Sequence, residues 1–164
     1  MAEMIQGEDI GRIGDIELRR YPDIPIARTS GAWGEESFSI LYRYITGENL
    51  NGSRIQMTAP VINDAEGMSF VLPLRFLHES PPKPVDQRVE LRTIKSREVA
   101  VLRFRGYAYP QVVSEMSARL LPTLERHGIA HMGEPFLMRY NSPMVPGFLR
   151  RNEVGIEIAM SRPD

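Results

Sequence analysis

The chain has 164 residues, 42% of them hydrophobic and 25% charged, the proportions of an ordinary globular protein long enough to bury a sizeable core. Lys and Arg total 20 against 21 Asp and Glu, so the net charge of −1 gives no reason to expect a nucleic-acid partner. The absence of cysteine excludes disulfides, thiolate metal sites and a cysteine nucleophile, and no stretch approaches the roughly 20 apolar residues of a membrane span.

The opening residues, MAEMIQGEDIGRIGD, carry acids where a signal peptide would carry an apolar run. They read as a short flexible arm, about residues 1–14, on a cytoplasmic chain. DIELRRY (15–21) and IPIARTS (24–30) are strand-like and separated by a Pro-Asp turn. The period then changes. Phe38, Leu41, Tyr42 and Ile45 lie at i, i+3, i+4 and i+7, which predicts one face of a helix over 35–46. Glu35 and Glu36 suit its N-terminus and Gly47 its C-terminal cap.

After the Asn51-Gly52 turn, GSRIQMTAPVI (52–62) alternates with a period of two, with Ile55, Met57, Ala59 and Val61 on one parity. With GMSFVLPL it predicts a hairpin of strands 54–62 and 68–74, joined through NDAEG. Pro60 cannot donate to a ladder, so it is expected to end the strand and leave Met57 facing a groove. HESPPKPVD (78–86) is a stiff, extended link.

The second half repeats the order of the first. RVELRTI (88–94) and EVAVLRFRG (98–106) are strands. Residues 110–127 are helical, with Val113, Met116, Leu120 and Leu124 on one face, Pro110 in the first turn and Gly128 past the end. Pro122 should kink this helix or split off its last turn. PFLMRYN (135–141) and NEVGIEIAM (152–160) close the chain as strands. Strand, strand, helix, strand, strand thus occurs twice. It predicts a single α+β domain over 1–164, in which two such units share an antiparallel sheet that carries both helices. If that sheet curls, a cleft lies between the halves.

Chemistry is sparse. There is no nucleophile elbow, P-loop or dinucleotide fingerprint. HGIAH spaces His127 and His131 as some helical zinc sites do, but Gly128 interrupts the helix, and the segment reads as a solvated helix end. His78, beside the Pro-rich link, also reads as solvent-facing. Glu153 and Glu157 share a strand face with Gly155 between them. Roughly 13 Å apart, they cannot act on one bond. Glu153 reads as an outward-facing acid, the alternative being a counter-charge for a cationic ligand where Gly155 leaves room.

Of nine methionines, Met57, Met68, Met116, Met138 and Met160 fall on apolar parities and read mostly as adaptable core. A soft thioether also suits a flat apolar ligand, and Met57 is the candidate. In YNSPMVPGFLRRNEV (140–154) an exposed-looking Phe148-Leu149 pair precedes Arg150 and Arg151. Two guanidiniums fit carboxylates or a phosphate, and a solvated basic turn is the equal alternative.

FSILYRYITGENLNGSRIQMTAPVI, PPKPVDQRVELR, VAVLRFRGYA and YNSPMVPGFLRRNEVGIEI, in that order, resemble the SOUL, or haem-binding protein, family from about Ile16 to Ile158. The MTAPV and RRNEV elements are the specific ones. The resemblance implies a distorted antiparallel β-barrel of two repeated units with two flanking helices, similar also to GyrI-like ligand-binding domains. It implies haem or another porphyrin as ligand, in an apolar groove near the first helix and the loop before the last strand. The matching positions are Met57, Arg150 and Arg151. Arg54 sits where the family often has a basic residue, Phe38, Tyr42 and Ile45 can supply a wall, and Phe148 lies in the loop. A porphyrin is a flat apolar plate with two propionates and needs an apolar slot with cations at the rim.

Some members carry a histidine, proposed as an iron ligand, just before the tyrosine that ends the first strand. Here that position is Arg20, which is always protonated and cannot ligate iron. The expectation is therefore a non-enzymatic carrier or buffer of a tetrapyrrole with no histidine axial ligand. The alternatives are a binding module for lipophilic cations with Glu153 as counter-charge, and a small hydrolase or haem-processing enzyme on the same scaffold. The sequence shows no nucleophile–base pair for the last.

Overall fold

The computed structural model describes residues 3–141 and 144–159. Met160 and the Ser142-Pro143 step of the 140–154 loop lie outside the described residues. The elements are β1 (Glu3–Met4), β2 (Glu8–Ile13), β3 (Ile16–Tyr21), β4 (Ile24–Thr29), α1 (Glu35–Ile45), β5 (Thr58–Asp64), β6 (Gly67–Val71), β7 (Glu90–Ile94), β8 (Arg97–Arg105), α2 (Pro110–Arg126), β9 (Ala130–Arg139) and β10 (Arg151–Ala159). The twofold strand-strand-helix-strand-strand order runs from β3 to β6 and from β7 to β10, giving the antiparallel-rich α+β architecture expected. Among the described residues no helix is long and apolar enough to cross a membrane.

The chain divides into two compact units, which do not coincide with the two sequence repeats. The first takes the chain up to Ile5 and Asp23–Lys95, the second Gln6–Pro22 and the chain from Ser96 on. In the first unit the strand order is β1-β5-β6-β4-β7, antiparallel except for β1 beside β5. In the second it is β2-β3-β8-β10-β9, antiparallel throughout. Each repeat thus gives its first strand away: β3 pairs with β8, and β7 pairs with β4. The N-terminal stretch expected to be a flexible arm is instead paired from Glu3 onward, β1 on β5 and β2 on β3, and Ile5 is buried.

In the first unit, α1 buries Ser37, Ile40, Leu41, Tyr44 and Ile45. Its buried stripe differs from the one expected. Tyr42 is 46% exposed, and Tyr44 takes the inner position because its hydroxyl donates to the Pro82 carbonyl at 2.6 Å. Burial pushes the Tyr44 phenol up to about 12. The helix stops at Gly47, whose positive φ of 126° suits glycine, and the Glu48 amide donates to the Arg43 carbonyl at 3.0 Å. The Pro-rich link returns here: the Leu50 amide donates to the Lys83 carbonyl at 2.9 Å.

Pro60 does not end a strand. β5 starts only at Thr58 and runs through Pro60 to Asp64. The ladder to β6 shifts register between Thr58 and Val61, so Ala59 and Pro60 fall in a bulge where no ladder donor is needed. The hairpin itself is as expected, with a tighter turn from Asp64 to Gly67.

In the second unit, α2 buries Leu120 and Leu124 against Ile16, Leu18, Ala100, Leu102, Val154 and Ile156. It runs unbroken through Pro122, which sits on the exposed side. There a carbonyl freed from the ladder can be served by water. The helix ends in a Schellman motif: the Ile129 amide donates to the Leu124 carbonyl at 2.9 Å and the Gly128 amide to the Glu125 carbonyl at 3.1 Å.

Candidate functional site

Strand alternation places Ile16 and Leu18 on the α2 side of the second unit and turns Glu17, Arg19 and Tyr21 to the opposite face. On that face Glu153 of β10 stands opposite Arg103 of β8 and Met138 of β9. Glu153 is 0% exposed, so the outward-facing acid expected from the sequence is a buried one. Arg19 grips it with both nitrogens, Nη1 to Oε1 at 2.9 Å and Nη2 to Oε2 at 2.8 Å. Arg151 Nη2 donates to Oε2 at 2.9 Å, the Tyr140 hydroxyl bonds the same carboxylate, and Arg103 Nε lies 3.5 Å away.

A second tier fixes the first. Arg19 also donates to the Tyr21 hydroxyl at 2.9 Å and to Glu17 Oε2 at 2.9 Å. The Arg151 guanidinium lies 4.3 Å over the Tyr140 ring. A Cβ on Gly7 would come within 2.9 Å of the Arg19 Cβ, so the backbone there lies directly on the arginine stem. Gly155 does not leave the expected room for a ligand: a Cβ there would meet Phe136 and Val99 at 3.0 Å.

Burial alone would raise the Glu153 carboxyl, but hydrogen bonds from Arg19, Tyr140 and Arg151 hold it at about 2. Burial likewise opposes the charge on Arg19, and its bond to Glu153 more than restores it. Burial, then the neighbouring Tyr21 and Glu153, pushes the Tyr140 phenol well above its usual range. Burial and the nearby Arg150 charge lower Arg139. The cluster sets Arg12, Arg19, Arg103 and Arg151 against Glu17 and Glu153, leaving guanidinium charge in surplus.

The residues expected to hold a ligand divide between the units. In the first, Phe38 and Tyr42 stack with centroids 5.9 Å apart, and Phe38 meets Phe70 edge-on at 5.1 Å. Met57 is half-buried against the same core, and Arg54 is exposed. In the second, Phe148 is 69% exposed on a 3-10 turn, Gly147–Leu149. Arg150 Nε donates to the Val145 carbonyl at 2.9 Å, and Arg151 is committed to Glu153.

His78, His127 and His131 are all exposed, as expected, and among the described residues no group of acids and histidines could hold a metal ion. Arg20 points away from the cluster to Glu98, 3.0 Å off. An open groove of about 400 Å³ on the α2 side, lined by Ile13, Leu102, Arg119 and Arg126 among others, contains none of the expected site residues.

Sequence reading missed Arg19, Tyr21, Arg103 and Tyr140. The available signal was parity: Glu17, Arg19 and Tyr21 alternate with Ile16 and Leu18, as Arg151 and Glu153 alternate with Asn152 and Val154. The two polar stripes carry complementary charge.

This α+β architecture and its sequence define a known class. The chain matches the family described as SOUL heme-binding protein over residues 5–157 and belongs to that family. No curated protein matches it. Among solved structures it is similar to the EcmrR C-terminal domain, with a TM-score of 0.61 and 11% identity over 89% of this chain and 98% of that one. It is also similar to EcmrR in a DNA complex, with a TM-score of 0.65 and 10% identity over 89% of this chain and 57% of that one. A hydrolase from Listeria innocua gives a TM-score of 0.53 and 14% identity over 88% of this chain and 92% of that one. At such identities the likeness is one of fold.

Proposed function

We propose that the protein binds haem or a related tetrapyrrole and carries or buffers it. Membership of the SOUL heme-binding family over residues 5–157 is the observation that carries this reading. The charge balance supports it. A porphyrin brings two propionates, and the Glu153 cluster has guanidinium charge in surplus. Taken by itself, the first unit offers the apolar contact a flat ring needs: the exposed Tyr42 stacked on the half-buried Phe38, with the half-buried Met57.

The reading for lipophilic cations requires a buried acid with charge to spare. Glu153 is buried, but Arg19 and Arg151 already answer its oxygens, so a cation would have to displace an arginine. Iron ligation by histidine is not part of the proposal, because Arg20 replaces the family's candidate ligand.

Titration with hemin, followed in the Soret band, tests the reading. Saturable binding is expected. Arg54→Ala with Met57→Ala probes the group in the first unit, and Arg150→Ala with Arg151→Ala probes the group in the second. Failure to saturate rejects the proposal. Tighter binding of a lipophilic cationic dye than of hemin, abolished by Glu153→Gln, transfers the site to the cation reading.

A further inference from the structure

The groups that a buried organic cation requires are gathered around Glu153. A carboxylate with no solvent exposure supplies the counter-charge. Tyr21, Tyr140 and Met138 supply a soft, polarisable wall: the Met138 sulfur lies 4.0 Å from the Tyr21 hydroxyl and 3.8 Å from that of Tyr140. Glu17, partly exposed, adds a second carboxylate.

The cation in this box is the chain's own Arg19. Its guanidinium donates to both Glu153 oxygens, to Glu17 and to the Tyr21 hydroxyl. Arg151 and Arg103 both address Oε2 of Glu153, at 2.9 and 3.5 Å. Among the described residues Oε1 therefore receives a guanidinium from Arg19 alone. The Gly7 backbone lies on the Arg19 stem and fixes where the head can reach.

A free cation of the same planar, forked shape would meet the same acceptors if the Arg19 head were missing. With the head present, those acceptors are spent. A solute then meets the half-exposed Arg103 and the partly exposed Arg151, which repel cations.

We infer that Arg19 is the specificity-determining residue of this cluster: it fills from within a site cut for a planar organic cation, so that the second unit refuses cations from outside. The inference deepens the reading above and rests on this cluster meeting the charge of the ligand. Its test contains no porphyrin, so the two can fail separately.

Thermal unfolding of the full chain with small cations is the test. Ethylguanidinium is the fragment that Arg19→Ala removes. At about 20 mM it should raise the melting temperature of Arg19→Ala by about 3 °C or more over the same concentration of sodium chloride. It should move neither the wild type nor Arg19→Ala combined with Glu153→Gln. Ethylammonium, a point charge without the fork, should do less. Arg19→Met guards against misfolding, because it keeps an unbranched stem against Gly7; there guanidinium itself, at the same concentration, should give the lift. No lift beyond that of sodium chloride in either variant overturns the inference. So does a lift that appears equally in the wild type or survives Glu153→Gln, which would place the cation elsewhere.

Discussion

Arg19 and Glu153 form a two-pronged ion pair, Nη1 to Oε1 at 2.9 Å and Nη2 to Oε2 at 2.8 Å, around a carboxylate with no exposure to solvent. Removing one partner leaves the other's charge buried, a loss usually of about 3–5 kcal/mol. Arg19→Ala should therefore cost about 3 kcal/mol or more in urea unfolding. Arg19→Lys keeps the charge but not the fork, and should fall between Ala and wild type. A loss under about 1 kcal/mol for Arg19→Ala would show that Arg151 and Tyr140 suffice.

The same pair sets an acid limb. The Glu153 carboxyl is held at about 2 in the folded chain against an ordinary 4.5. Its contribution is thus complete above about 4.5 and is lost as pH falls towards about 2. Stability measured by denaturant midpoints should drop through that window. In Glu153→Gln the drop should be shallower, from a lower plateau at neutral pH. Parallel curves for the two proteins would remove Glu153 from the acid response.

Gly67 opens β6 at a φ of 134°, and a Cβ there would lie 2.1 Å from the Thr29 carbonyl oxygen. Neither backbone can yield without breaking the β4–β6 ladder, in which Thr29 pairs with Met68. Gly67→Ala should cost more than about 2 kcal/mol and lower the melting temperature by several degrees. An unchanged melt would mean that the hairpin turn relaxes freely.

Met57 precedes β5 and only partly joins the first unit's core. Met57→Ala should then cost under about 2 kcal/mol, below a closed core site. Hemin affinity should fall in the same variant. A large stability loss with unchanged affinity would assign Met57 to packing alone.

The repeat of strands and helices was legible because periodicity is local: Phe38 to Ile45 and Val113 to Leu124 repeat every three or four residues whatever surrounds them. Which strands pair was not. That β3 crosses to β8 and β7 to β4 depends on long-range register, which alternation leaves open. Tyr42 and Tyr44 show the limit on one helix: the choice between them was decided by a carbonyl at Pro82, far along the chain. Glu153 read as outward-facing because strand acids usually face water. Its burial needs Arg19 beside it, and no spacing within β10 announces a partner in β3. Pro60 was misplaced for a related reason, since a bulge is a property of the pair of strands.

The most direct measurement compares hemin with metal-free protoporphyrin by titration, in the wild type and in a variant with His78, His127 and His131 all changed to Ala. Tetrapyrrole binding through the ring face and propionates requires little from iron. The two ligands should bind within about threefold of each other, less than 1 kcal/mol, and the hemin spectrum should be unchanged in the triple variant. Hemin binding tighter by about a hundredfold, with a low-spin bis-histidine spectrum that the triple variant abolishes, would contradict it.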